Sequence, residues 1–455
     1  MIVALHSRTA LAAAMLALAL GTRVAAQTPA DTGAALTLDR AVALALEAHP
    51  AVQSARAAED EAAAQVGEAT AQWLPQLSAR AMVTRFQEPM LVFPLHELDV
   101  GAFPDFNRTL LQGGLDLGWL LFDGGGRRSR IRSAKARARL AEAGTATTTM
   151  ELVTSVTGAY VGVLSASGVV DALDDNLAAL AAERDRVQRM LDEGSAARVE
   201  LLRVEAALAQ AEAERITTAA RLDAVERSLA RLLTLDPAET RSTRLRPVVL
   251  GDSSLAPRAI LLAQLEATNP DVLRAERNAE TAEWAHRAAR AAWFPRLDAV
   301  GSYGMWGGAA GEYVFEWQVG MRLSYPLFTG GARASAVSGA RARAAYAREQ
   351  ARLVRLQEAE ALDRALSSLE EQRARAVAVA RAVAQLAEVA RIEQLALETG
   401  AGTQTEYLRA QADLRRARAS LVEARYAEIV ARLELARSTG ELSPAWLTTI
   451  LEIQQ

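Results

Sequence analysis

At 455 residues, with 51 basic and 55 acidic side chains, the chain is close to charge balance and lacks the concentrated basic face that a nucleic-acid partner requires. Cysteine is absent, which excludes disulfides, thiolate metal sites and thiol-linked lipid. Beyond the first 26 residues only His49, His96 and His286 carry imidazole, none at metal-ligand spacing from another, so neither a catalytic centre nor a cofactor is expected.

The chain opens with Arg8, an apolar run Ala10–Leu20 and the small residues Val24-Ala25-Ala26, which predict a signal peptide over 1–26. The run is too short to span ~30 Å of hydrocarbon. No later stretch approaches about 18 consecutive apolar residues, so membrane insertion is expected to use strands. Thr37-Leu38-Asp39 supplies an N-cap and an early acid for a short helix. That helix is expected to end at His49, because a residue before proline avoids helical backbone, and Pro50 then opens the next helix.

The stretch that starts at His49-Pro50 and runs to Trp73-Leu74-Pro75 returns at Asn269-Pro270 and Trp293-Phe294-Pro295, shifted by 220. Leu121–Gly125 (LFDGG) returns as Leu327–Gly331 (LFTGG), and the segment at Glu193 returns at Thr399, both shifted by 206. The two shifts differ by 14 residues, the excess length of one segment in the first copy, around Phe86–Arg108. Two such copies indicate one fold built by duplication. The division predicted is a first repeat over 27–235, a linker over 236–256 marked by Pro237, Pro247, Gly251 and Asp252, a second repeat over 257–443, and a tail over 444–455.

No proline lies between Pro104 and Pro237 or between Pro326 and Pro444, and both gaps are rich in strong helix formers. A helix over Arg127–Asp192 is a rod on the order of 100 Å, too long to wrap a compact core. Leu201, Val204 and Leu208, then Leu222, Val225 and Leu229, recur at three- and four-residue steps, the seam of a coiled coil. Gly194 and Gly400 interrupt the rods in matching places and predict hairpin tips.

Between the helices the period drops to two. Leu77, Ala79, Ala81 and Val83 alternate with Ser78, Arg80 and Thr84, and Leu111, Leu115, Leu117, Trp119 and Leu121 alternate with Gln112, Gly114, Asp116 and Gly118. Leu297, Ala299, Gly301 and Tyr303 alternate with Asp298 and Ser302; Tyr313, Phe315, Trp317, Val319, Met321, Leu323 and Tyr325 alternate with Glu316, Gln318, Gly320 and Arg322. The hairpins are expected at about 76–122 and 296–328. This is the apolar-out, polar-in pattern of a membrane β-barrel. On this reading Asp116, Glu316, Gln318 and Arg322 line the lumen, and Trp119, Tyr303, Tyr313, Trp317 and Tyr325 lie at the membrane interfaces. Four strands cannot close a barrel, since small barrels start at about eight, and an open edge cannot stand in lipid. Several chains must therefore share one barrel.

In their order and their doubling, LTLDRAVALALEAHP at Leu36, WLPQLSA at Trp73, LFDGGGRRSRI at Leu121, YPLFTGGARASAV at Tyr325 and TGAGTQTEYLRAQADL at Thr399 resemble the outer-membrane efflux protein family, the TolC-like outer-membrane factors. The resemblance covers about residues 36–443. It implies a mainly α protein with membrane β: a homotrimer with a 12-stranded β-barrel continued by a 12-helix periplasmic α-barrel, the linker lying in the equatorial region. The implied role is the passive exit duct of a tripartite efflux pump in the outer membrane of a Gram-negative bacterium, extending into the periplasm. Its implied partners are outer-membrane lipid, a periplasmic adaptor (membrane fusion protein) and an inner-membrane transporter of RND, ABC or MFS type. The family narrows its tunnel at the hairpin tips with acidic residues held by polar contacts between helices. Carried over, this places the gate at Glu200, Glu406 and Arg409, by the tip glycines Gly194, Gly400 and Gly402.

The chain departs from the best-known member where Arg409 replaces a second acid and Gly402 a basic residue. Arg409, three residues beyond Glu406, is expected to pair with it, and Arg198 and Arg203 flank Glu200. A ring of Glu406 carboxylates from three chains is expected to attract cations and to raise its own pKa. The alternatives are the exit duct of a type I protein secretion system and, in a different class, a periplasmic coiled-coil adaptor. An enzyme is not expected, since Gly124-Gly125-Gly126 follows a strand but lacks the lysine of a phosphate loop.

Overall fold

The computed structural model describes residues 35–92, 94, 106–238, 244–251, 255–309, 311 and 313–453. The signal-peptide segment and most of the long first outer loop lie outside the described residues. Helix α1 (Leu38–Ala48) starts at Thr37, whose hydroxyl accepts from the Arg40 amide at 3.4 Å. It stops at His49 because Pro50 opens α2 (Pro50–Ala71), and the His49 imidazole caps α2 by accepting from the Ala51 amide. The same device separates α5 (Arg258–Thr268) from α6 (Pro270–Arg290), where the Asn269 side-chain oxygen accepts from the amides of Asp271 and Val272.

The rods α3 (Gly126–Asp192) and α7 (Ala332–Glu398) are each 67 residues long, and their return helices α4 (Arg198–Leu233) and α8 (Gln404–Thr439) are each 36. At about 1.5 Å per residue each rod runs ~100 Å. α2, α3, α6 and α7 pack side by side in that order, and further down α4 and α8 take the places of α2 and α6 beside the rods. Alanines at contact positions, Ala136, Ala344 and Ala347 among them, allow the close approach.

One antiparallel sheet joins the two repeats. β1 (Gln76–Leu91), β2 (Phe106–Phe122), β4 (Arg296–Gly308) and β5 (Tyr313–Ser324) lie in the order β1-β2-β4-β5, the order of the helices below them. Among the described residues β1 and β5 each have a single neighbour within the chain.

The main core sits midway along the rods, where α1 packs across α3 and α4. Val42, Val52, Val153, Val156, Tyr160 and Leu229 are fully buried there, and the Tyr160 hydroxyl lies 2.8 Å from the carbonyl oxygens of both Leu36 and Arg246. Burial pushes the Tyr160 phenol well above its ordinary value.

One sequence expectation needs correction here. α3 does hold an 18-residue stretch apolar enough to cross a membrane, but its Val153, Val156, Tyr160 and Val161 belong to this core. The linker and tail also carry short regular elements. β3 (Val248–Leu250) in the linker pairs antiparallel with β6 (Leu451–Ile453), which follows α9 (Pro444–Ile450). The tail folds back because Leu442 and Leu447 are buried in the same core.

Candidate functional site: sheet wall and helical tips

Strand register decides which side chains share a face. Ser78, Asp116, Ser302 and Gln318 form one row across the sheet, and Arg80, Gly114, Gly304 and Glu316 the next. Asp298 stands opposite Arg322 on the same face, and Arg80 Nη1 meets Asp116 Oδ1 at 3.0 Å. The four polar residues singled out in the sequence therefore share one face. The other face carries Leu77 opposite Leu117, Ala79 opposite Leu115, Tyr303 opposite Trp317 and Ala299 opposite Met321. Trp317, Val319 and Met321 on it are each more than 70% exposed in the single chain, an area that a water-facing sheet does not leave bare. Trp119 stands at the helix-proximal end of this face and Tyr313 beside the outer turn, while Tyr303 and Trp317 pair nearer the middle. Tyr325 lies just past β5, its ring 5.4 Å from the Arg333 guanidinium.

Below the sheet, sequence reasoning overlooked a doubled clasp. Arg127 lies 3.7 Å over the Trp73 ring and donates to the carbonyls of Gln72 and Leu120; in the second copy Arg333 lies 5.0 Å over Trp293 and donates to the Pro326 carbonyl. Each clasp ties a strand end to the rod that follows. The same duplication that aligned Trp73 with Trp293 also aligns Arg127 with Arg333, so the signal was present.

At the far end of the rods Gly194 (φ 73°) and Gly400 (φ 75°) take left-handed backbone, as a helix stop requires. Gly402 does not; a Cβ there meets the Ala396 methyl at 2.9 Å, so it is kept small by close approach. Glu200 and Glu406 occupy the same third helical position of α4 and α8. Glu406 completes a capping box: its carboxylate accepts from the Thr403 amide at 3.0 Å and hydroxyl at 2.8 Å. Those bonds hold the Glu406 carboxyl below its ordinary value in the single chain, where no ring of neighbouring carboxylates acts on it. No contact with Arg409 replaces them among the described residues; the expected Glu406–Arg409 pair loses to the cap because Thr403 offers two donors to one carboxylate. Arg203 turns from Glu200 to the Thr405 hydroxyl at 2.8 Å, linking α4 to α8.

A polar latch that sequence reasoning missed lies on α3 about three turns above Gly194. Glu183 of α3, 9% exposed, accepts from Arg186 at 2.6 and 2.8 Å and from the Gln404 amide at 2.6 Å, and Arg186 also donates to the Gln404 oxygen at 3.2 Å. Burial pushes the Glu183 carboxyl up, but the hydrogen bonds from Arg186 and Gln404 outweigh it and its pKa is lowered. The latch joins the first hairpin to the second. Its members stand 218 and 221 residues apart in sequence, beyond the reach of any local pattern.

The outer membrane efflux protein model matches residues 41–234 and 261–441, the two repeats. The chain belongs to the outer membrane efflux protein family. It is thus an outer-membrane channel protein that extends into the periplasm, and both family and fold are those of channels rather than enzymes. This efflux protein is 25% identical over 344 residues to outer membrane efflux protein BepC of Brucella suis, covering 74% of this chain and 73% of that one. In fold it is similar to the CmeC outer membrane channel of Campylobacter jejuni (TM-score 0.77, 16% identity, 90% of this chain and 88% of that one). It is also similar to the outer membrane protein VceC of Vibrio cholerae (TM-score 0.75, 20% identity, 89% of this chain and 96% of that one).

Proposed function

We propose that three copies of this efflux protein close a 12-stranded barrel and serve as the passive exit duct of a tripartite pump, gated at the helical tips. The observation that carries this reading is the open sheet. Its apolar face belongs in lipid, where the unpaired backbone of β1 and β5 must find partners, and sister chains supply them edge to edge. The polar face, with Asp116, Glu316, Gln318 and Arg322, then lines a wetted lumen. Energy comes from an inner-membrane transporter of RND, ABC or MFS type, reached through a periplasmic adaptor.

The gate is formed by the tips that carry Glu200 and Glu406, with the Glu183–Arg186–Gln404 latch holding the second hairpin against the first. Transport requires this latch to release. Purified protein is expected to run as a trimer and to conduct ions in planar bilayers, and Gln404→Ala is expected to raise that conductance severalfold. A monomer without conductance overturns the reading. Deleting the gene is expected to sensitise cells to toxic compounds, and unchanged sensitivity overturns the efflux assignment.

A further inference from the structure

An open groove of about 810 Å³ runs between α2, α3 and α6 just below the sheet, lined by Trp73, Arg128, Arg132, Lys135 and Trp284. A second hollow of about 440 Å³ continues it past Arg128 and Arg132 to Arg287, Arg290 and Phe294. Arg132 and Arg287 both stack on Trp284, at 4.7 and 4.3 Å from its ring. Arg128, Arg132, Lys135, Arg287 and Arg290 are all exposed, and none has an ion pair or hydrogen-bond partner among the described residues. The acid in the groove, Glu280, is already matched by Arg139 and Arg277. Five cations are thus gathered where two tryptophans and a phenylalanine supply apolar surface, with no protein anion left to balance them.

Depth and side identify what does balance them. Arg128 and Arg132 lie about 3 and 9 Å along α3 from its start, just after β2, about the depth of a headgroup layer ~5–8 Å thick beyond the hydrocarbon, and Lys135 lies a turn deeper on the periplasmic side. Trp119, on the apolar face of the sheet, donates through its indole nitrogen to the Trp73 carbonyl at 2.9 Å, so the groove continues the lipid-facing side. Arg132, Arg139, Val153 and Tyr160 are spaced by seven or fourteen residues; at about 20° of drift per heptad they stay within roughly 80° of one another, on the same half of α3, and Val153 and Tyr160 pack against α1. The groove is therefore on the wall face that bears α1 and β3, not on the polar face of the sheet.

We infer that this groove binds the phosphodiester headgroup of an anionic phospholipid in the periplasmic leaflet of the outer membrane. Arg128, Arg132, Arg287 and Arg290 surround the phosphate with positive charge, and a guanidinium fork among them meets its two non-bridging oxygens in bidentate fashion, while Trp73 and Phe294 lie against the upper acyl chain. Such a bond fixes how deep the barrel sits. The site rests on the apolar sheet face standing in lipid.

The test titrates detergent-solubilised full-length protein with dioleoyl phosphatidylglycerol or dioleoyl phosphatidylcholine and counts retained lipid by native mass spectrometry. Phosphatidylglycerol is expected to be retained preferentially, and retention to fall about tenfold or more in Arg128→Gln/Arg132→Gln/Arg287→Gln/Arg290→Gln and to weaken with salt. The double variant Arg287→Gln/Arg290→Gln, which leaves the start of α3 intact, is expected to fall between. Arg221→Gln/Arg352→Gln/Arg375→Gln/Arg381→Gln, which removes the same charge elsewhere, is expected to retain lipid like the parent. Equal retention of the two lipids, undiminished binding by the groove variants, or displacement by millimolar inorganic phosphate overturns the proposal while leaving the channel intact. A parent protein that takes up neither lipid and stays in water without detergent overturns the membrane reading itself.

Discussion

The two helical tips occupy corresponding positions, 206 residues apart, with rods and return helices of equal length. They are stabilised by different means. The second tip is capped from within: Thr403 and Glu406 exchange bonds at the start of α8. In the first, Ala197 stands where Thr403 does and offers no side-chain cap, so Glu200 has no such partner. The latch is asymmetric as well. Glu183 and Arg186 correspond to Val389 and Ile392, both exposed on α7. Duplication preserved backbone geometry, which depends on glycines and helix length, and left the polar contacts free to specialise: the first copy holds the second, and the second holds itself. Midway along the rods the copies diverge again, for Tyr160, bonded to the bridge between repeats, corresponds to half-buried Leu366.

The largest effect that separates the copies is expected at the core. Tyr160→Ala is expected to cost about 3–5 kcal/mol and Leu366→Ala about 2 or less, read from denaturation midpoints in detergent, because only the tyrosine is fully enclosed. Next comes the latch. Glu183→Ala leaves Arg186 and Gln404 without their acceptor and is expected to cost about 1–3 kcal/mol, while Val389→Ala changes stability by less than about 0.5. Equal costs for those two variants break the asymmetry. A smaller effect, about 1 kcal/mol, is expected when Thr403→Ala uncaps α8, and Ala197→Thr is expected to add a similar amount to α4 by giving Glu200 a partner; amide exchange in the first turn of each helix reads both.

The smallest effect is a pH dependence confined to the second tip and the latch. Glu406 and Glu183 have folded pKa values below the ordinary 4.5, so their stabilisation is present above that value and disappears as pH falls through the lowered one. Amide protection at the start of α8 is expected to fall as pH drops below about 4.5, and Thr403→Ala to remove most of that dependence. Protection that rises on acidification contradicts the sign.

Much of this architecture was legible in residue order. Pro50 and Pro270 marked where short helices end, Gly194 and Gly400 where rods turn, and the two-residue alternation from Tyr313 to Leu323 placed each side chain on its face before any register was known. The tips were legible only as positions. Glu406 was recognisable as an acid near a turn, but a hydroxyl three residues earlier draws it into a cap, so its partner was Thr403 rather than Arg409. The fold-back of the tail onto Val248–Leu250 had no local signal, because a three-residue strand shows no period.

Local rules act over a few residues, and duplication repeats them, so the chain alone determined its helices, strands, turns and the doubling that relates them. Tertiary structure decided which side chains meet across the 218 to 221 residues that separate Arg186 and Glu183 from Gln404, and which cations on α3 and α6 were left without acids. Those outcomes depend on the rotation and offset of packed rods, where a single residue of register carries a side chain about 100° around its helix, and no pattern along one rod specifies the register of its neighbour.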